Sequence, residues 1–282
     1  MSNRDRRSIE SSATLRGVGL HTGRDAGLTF RPAAAGSGIW FRRVDMPRQP
    51  EIPAHVRSVC TTERRTVLGA GDATIETVEH VMAAVAGLEI DDLWVDLDGP
   101  EVPILDGSAE PFVSTLKSAG IVVVEGEAPT LSVSATLTVQ DGDAEYVARP
   151  GPRSLTVRVE WDHPLIGAQM ASFAMSPEVF ATELAGARTF GFASEIEALR
   201  ARGLIKGGHL GCAVVLSETG IVNGGGELRW ADEFVRHKAL DLLGDLALAG
   251  GRIDCTVVAS RPSHRGNVAF ARALYDHCSS GK

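Results

Sequence analysis

The sequence lacks any long apolar run. No stretch approaches the roughly 18–20 apolar residues that a helix needs to cross a bilayer, so no transmembrane segment is expected. It also lacks a surplus of positive charge: 28 Lys and Arg stand against 36 Asp and Glu, a net charge of −8. Sequence-independent nucleic-acid binding draws on a basic footprint, so that class of partner is set aside. An anionic small substrate stays open, because a few local Arg and Lys override the mean field. The four cysteines (Cys60, Cys212, Cys255 and Cys278) are scattered and show no CxxC spacing. That argues against a thiolate zinc site or a disulfide framework and for free thiols in the cytoplasm. The polar segment from Met1 to Arg7 leads into no apolar h-region, so no secretory signal is expected. There is no HExxH, which removes the common metalloprotease motif. The glycine-punctuated stretch Gly17-Val18-Gly19-Leu20-His21-Thr22-Gly23 lacks the Gly-Lys-Ser/Thr ending of a phosphate loop.

What is present is ordinary globular material, 44% hydrophobic and 23% charged over 282 residues, enough for one large domain or two smaller ones. Short apolar runs separated by turn residues predict strands at 26–30, 39–44, 55–59 and 66–68. Apolar residues at 78, 81, 82 and 85 have the helical period, and Gly87 suits the position just past a helix end. A strand (93–97), a turn-rich loop (98–108) and a helix (109–119) follow. The polar run Glu125-Gly126-Glu127-Ala128-Pro129 reads as a linker. Beyond it the pattern begins again with strands at 131–139, 145–148 and 155–161. A helix opens at Ser176-Pro177, a loop covers 187–192, and a short helix spans 194–202. A strand at 213–216 precedes a long helix opened by Asp232 and closed at Gly250-Gly251. Ala86-Gly87-Leu88-Glu89-Ile90-Asp91 and Ala249-Gly250-Gly251-Arg252-Ile253-Asp254 each lead into a strand, a loop and a helix. A duplicated α+β unit is inferred, with domains at 1–126 and 127–282.

In the long helix His237 and Asp241 are four apart, and Asp245 is four further on, so all three lie on one stripe. A histidine one turn from a carboxylate is a workable pair of metal ligands, although such pairs are also ordinary on solvated helix faces. His80, on the first-half helix, would complete a two-His, one-carboxylate set with an open position. Donor type alone does not choose between zinc and iron. Glu79, next to His80, is placed to work on a water beside the metal without ligating it. His264 is expected in a loop and suits acid–base work, with Asp245 able to hold it as an imidazolium.

Five ordered motifs turn these fragments into a resemblance. They are Gly17 to Gly23, Thr77-Val78-Glu79-His80, Pro103-Ile104-Leu105-Asp106-Gly107-Ser108-Ala109, Ala187-Arg188-Thr189-Phe190-Gly191-Phe192, and Asp232-Glu233-Phe234-Val235-Arg236-His237-Lys238 through Gly244-Asp245-Leu246. From Leu15 to about Leu274 the chain resembles the UDP-3-O-acyl-N-acetylglucosamine deacetylases, zinc amidases of lipid A (lipopolysaccharide) biosynthesis. The resemblance implies two similar α+β domains in a layered β-α-α-β sandwich with the active site at their interface. It implies a cytoplasmic monomer that releases acetate from a UDP-sugar carrying an acyl chain. It assigns Zn²⁺ to His80, His237 and Asp241, the general base to Glu79, the oxyanion contact to Thr189, and the general acid to His264 supported by Asp245. Lys238 is assigned to a substrate phosphate and Trp161 to the uracil. Phe190 and Phe192, with an insert near 191–220, are assigned to an apolar passage for the acyl chain. Two other readings are carried beside it: a related zinc amidohydrolase acting on another acylated amino sugar, and a non-catalytic binding homologue. Three stretches depart from the family pattern: Pro262-Ser263 before His264, Arg64-Arg65 before Thr66, and Gly208-His209-Leu210-Gly211-Cys212.

Overall fold

Alternating apolar residues build the strands. In Asp25–Pro32, Ala26, Leu28 and Phe30 are buried while Thr29 and Arg31 face outward, the period of a sheet with one face on a core. The computed structural model describes residues 5–222 and 227–279. In its first half, Ala13–Val18, Asp25–Pro32, Leu93–Leu97, Ile39–Arg43 and Glu51–Pro53 lie side by side in that order. All neighbours are antiparallel except the pair Ile39–Arg43 and Leu93–Leu97. The second half repeats the plan with Leu137–Asp141, Ala144–Arg149, Thr256–Ser260, Ser154–Trp161 and Gly167–Ala174. Here too the only parallel pair within the sheet is the third with the fourth. A shared strand order with the parallel pair at the same place bears out the duplication inferred from the repeated hexapeptide.

A parallel pair needs a long crossover, and each crossover carries a helix of the site. The helices are α1 (Glu79–Gly87), α2 (Glu110–Ser118), α3 (Pro177–Val179), α4 (Ile196–Ala201), α5 (Glu233–Ala247) and α6 (His264–Ser279). Among the described residues none is long and apolar enough to cross a membrane. α1 packs against α5, and α5 against the strands Ser154–Trp161 and Gly167–Ala174. One core runs through the layers, from Phe30, Phe41 and Val95 through Met82 and Val85 of α1 and Leu242 and Leu246 of α5 to Val157 and Val257. α1 is buried almost all round, as befits a helix covered on every side. Glu79 and His80 are thus polar residues in an interior position, where chance rarely leaves them.

Several local expectations change. Residues 125–127 are no free linker but the end of the strand Ile121–Glu127, which pairs with Asp5–Ile9. Phe190–Phe192 is a short strand parallel to Val214–Leu216, not a loop. Asp232 makes no side-chain cap; its carboxylate accepts from Arg236 Nε at 2.6 Å. α5 stops at Ala247, short of Gly250-Gly251. His264 opens α6 where a loop was expected, because Ser263 Oγ accepts the Gly266 N–H at 3.2 Å and caps the helix.

The repeated hexapeptides meet behind the site. Glu89 and Arg252, the fourth residue of each, pair at 3.3 Å, and Arg252 also grips Asp91 at 2.6 Å. Arg7 and Arg153 reach the same Glu89 carboxylate at 2.9 and 2.8 Å. Glu89 and Arg252 are 3% and 8% exposed, so the cluster is shielded from the screening that makes surface pairs weak. Glu89→Ala strips a partner from three arginines. It is expected to lower stability to urea towards the lower end of the roughly 3–5 kcal/mol seen when buried pairs are broken, since Arg252 keeps Asp91. A loss below about 1 kcal/mol would mean the cluster behaves as a surface pair does.

Candidate metal centre and active site

The chain turns sharply into α1 at Thr77, whose φ of +61° is unusual for a β-branched residue. The buried Glu101 carboxylate holds that turn, accepting from the Thr77 hydroxyl at 2.8 Å. The turn brings Glu79 and His80 onto the first residues of a helix facing α5. His80 Nε2 lies 3.7 Å and His237 Nε2 3.3 Å from the same atom, Asp241 Oδ1. That oxygen is buried and has no hydrogen-bond partner among the described residues. His237 donates from Nδ1 to the Ala187 carbonyl at 3.0 Å, which leaves the Nε2 lone pair facing Asp241. Burial lowers the His237 pKa to about 4, so the imidazole is neutral, the form that ligates metal. Burial alone would raise the Asp241 pKa, but its pairing with His237 and the Lys238 ammonium outweighs burial and holds the carboxyl well below the usual carboxylate range.

These observations fit a metal. Donor atoms of His80, His237 and Asp241 lie within 4.8 Å of one another, the one such group of three among the described residues. Tetrahedral zinc bonds of about 2.0–2.2 Å put ligand atoms about 3.3 Å apart, close to the spacings seen here. An orphaned buried carboxylate oxygen facing two imidazole nitrogens is costly unless a cation satisfies it.

Two ionisable groups flank these donors. Glu79 Oε2 accepts the Thr66 N–H at 3.0 Å, and burial raises its pKa, with Asp245 and Asp241 adding to the effect. His264 Nδ1 sits 2.9 Å from Asp245 Oδ2. Burial would lower the His264 pKa, but Asp245, aided by Glu79 and Asp241, raises it to about 9. Asp245 also accepts from the Thr66 hydroxyl at 2.6 Å and from Asn267 Nδ2 at 2.9 Å. Its oxygens are therefore engaged away from the donor trio, consistent with a supporting carboxylate and not a fourth ligand.

The donors, Glu79, His264 and Thr189 line a cavity of about 30 Å³, room for a water. Thr189 is fixed by its backbone, bonded to Gly107 and Val214. The residue before it is clamped to the start of α5, where Arg188 Nε and Nη2 reach the fully buried Glu233 at 2.8 and 3.0 Å. Thr189, His21 and Arg64 are shared with a larger cavity of about 220 Å³. That cavity is walled by Phe190, Phe192, Ile196, Leu199, Ile205 and Leu210.

Other sequence-singled residues sit further out. Lys238 Nζ is 2.8 Å from Asp241 Oδ2, so its ammonium is engaged with a metal donor. Trp161 packs edge-on against Phe190 at 5.3 Å, and Phe190 in turn against Phe234 at 5.0 Å. Sequence reasoning gave no role to His21, Thr66 or Glu101. His21 is 4% exposed and borders both cavities, and neither ring nitrogen has a partner among the described residues. Burial, helped by Arg65, lowers its pKa to about 4. Glu101 holds its loop, accepting the backbone N–H of His21 at 2.9 Å and of Thr22 at 2.7 Å. The position of His21 inside a family motif was the available signal. Nothing in the local sequence marks Thr66 or Glu101.

Three clustered metal donors, with a buried carboxylate on one side and a carboxylate-held histidine on the other, are the equipment of a metal-dependent hydrolase. The chain belongs to the UDP-3-O-acyl N-acetylglycosamine deacetylase family, whose model matches residues 6–276. A UDP-3-O-acyl-N-acetylglucosamine deacetylase of Geobacter sp. (strain M21) is 44% identical over 258 residues, 91% of this chain and 84% of its own length. Proteins of the same name from Thermosynechococcus vestitus and Myxococcus xanthus are 44% and 41% identical. Those matches cover 95% and 97% of this chain and 93% and 87% of the relatives.

Proposed function

We propose that this chain hydrolyses the acetamide of UDP-3-O-acyl-N-acetylglucosamine, giving the free amine and acetate, the deacetylation step of lipid A biosynthesis. The observation that supports it best is the junction of the two cavities. A water-sized polar pocket with metal donors adjoins, across Leu20, His21, Arg64 and Thr189, an apolar cavity suited to an acyl chain.

His80, His237 and Asp241 hold a zinc ion in this reading. When bound it acts as a Lewis acid, polarising the acetamide carbonyl and acidifying water. Glu79 takes the proton from the water that attacks the carbonyl carbon. The Thr189 hydroxyl donates to the oxygen that gains negative charge. His264, kept protonated by Asp245, gives its proton to the departing nitrogen, which would otherwise leave as an amide anion. Lys238, whose ammonium lies against Asp241, is assigned to a substrate phosphate. Trp161, beside Phe190, is assigned to the uracil. Phe190 and Phe192 wall the acyl passage. The reading includes two domains, 1–126 and 127–282, an insert near 191–220, a monomeric state and a cytoplasmic location.

The test is mass-spectrometric detection of the deacetylated UDP-sugar from substrates with and without the 3-O-acyl chain. Each buried methylene contributes about 0.8 kcal/mol, so even four of them in the passage imply a drop in kcat/KM of about 200-fold for the chain-free substrate. Equal rates on the two would remove the acyl-passage assignment. Absence of product from both would remove the deacetylase reading.

A further inference from the structure

Thr66 is a residue of the site's surroundings that the reaction as described leaves without a task. It stands just before the strand Val67–Ala70, fully buried. Each of its polar atoms is bonded to a different part of the active site. Its N–H donates to Glu79 Oε2 at 3.0 Å. Its hydroxyl donates to Asp245 Oδ1 at 2.6 Å. Its carbonyl accepts from the N–H of Val78, at the start of α1, at 3.3 Å. Glu79 and Asp245 come from helices of different halves, and Thr66 touches both. The other Asp245 oxygen is shared by His264 and Asn267.

We infer that Thr66 is a positioning residue that fixes the base relative to the carboxylate that aims the acid. Its hydroxyl supplies the donor to Asp245 Oδ1, and through it the orientation of the His264 ring. This rests on the roles proposed above for Glu79 and His264. The physical argument is geometric. A carboxylate oxygen buried without a donor is costly and turns to find another partner. Asp245 could turn only by altering its bond to His264 Nδ1, since that bond and the Asn267 bond share the remaining oxygen. A rotated imidazole misplaces Nε2, and proton donation falls steeply with misalignment. The Thr66 backbone N–H, by contrast, survives any side-chain change, so hydroxyl and backbone roles are separable.

The experiment compares Thr66→Val, which keeps size and branching but removes the hydroxyl, with Thr66→Ser, which keeps the hydroxyl. Substrate, metal content, melting temperature and the His264 Nδ1 proton resonance are followed in parallel with wild type. Thr66→Val is expected to lose about 10- to 100-fold in kcat, with KM and metal content little changed and the melting temperature only a few degrees lower. Thr66→Ser is expected to stay within about threefold of wild type. The Nδ1 proton resonance should move in the valine variant and return in the serine variant. That readout needs no turnover, so a failure of the deacetylase reading shows as an inactive wild type with the resonance pattern intact. The inference is overturned if Thr66→Val keeps its kcat or leaves the resonance unmoved. It is equally overturned if serine fails to rescue, or if the loss tracks metal content or melting temperature.

Discussion

Glu79→Gln is expected to keep its metal and to lose about 10²- to 10⁴-fold in kcat, the usual range for removing a general base. Glutamine has the size of glutamate and still accepts the Thr66 N–H that now holds Oε2 at 3.0 Å, so the α1 terminus should keep its shape. Glu79 ligates nothing in the trio of His80, His237 and Asp241, hence the retained metal. Stability should hold or rise, because a carboxylate whose ionised form is disfavoured by burial, and further by Asp245 and Asp241, is removed. The pH profile separates the two ionisable groups. Glu79 works only when ionised, so activity climbs as pH rises through its raised pKa. His264 works only when protonated, so activity falls as pH rises through about 9. A bound dication moves both limbs to lower pH. The variant should flatten the acid limb, and His264→Ala the basic one. Because the groups interact, the limbs are properties of the pair. Metal stoichiometry with steady-state kinetics checks this, and a variant that turns over like wild type would exclude Glu79 as the base.

Gly244→Ala should have the second largest effect, and through the backbone. A Cβ at 244 would stand 2.1 Å from the Glu79 carbonyl oxygen and 3.0 Å from the Ala83 nitrogen. Neither neighbour is a flexible side chain. The helices must separate by about 1 Å to restore ordinary contact, which overpacked cores tolerate only at a cost of about 1–3 kcal/mol. The same displacement carries His80 away from Asp241 and His237, which it now approaches to 3.7 and 5.1 Å (atom to atom and ring to ring). Metal sites hold their ligand distances to about 0.2 Å. The expected result is a metal affinity lowered at least about tenfold, read by competition with a chelator, together with a lower melting temperature. An alanine variant with wild-type affinity would mean that the helix approach does not set the site.

A good part of the site was legible because helical spacing is rigid. Residues four apart on α5 share a face whatever surrounds them, so His237, Asp241 and Asp245 could be aligned from sequence. The hexapeptides at 86–91 and 249–254 announced the duplication that the two sheets display. His264 follows Pro262-Ser263, which reads as loop, but the Ser263 hydroxyl caps a helix there and places His264 at its first turn. Lys238, assigned to a substrate phosphate, lies three residues from Asp241 on the same helix, so the contact of its ammonium with Asp241 is also set by local spacing.

The sequence by itself determined that His237, Asp241 and Asp245 share one helix face and that two halves share one plan, since both follow from short spacings and a short repeat. The tertiary structure alone decided how those side chains meet. The hydroxyl of Thr66 finds Asp245 across 179 positions, Gly244 admits the Glu79 backbone, and Glu89 finds Arg252 across 163. Such contacts depend on how whole helices and sheets pack, and no local period in the chain encodes the packing of elements so distant in sequence.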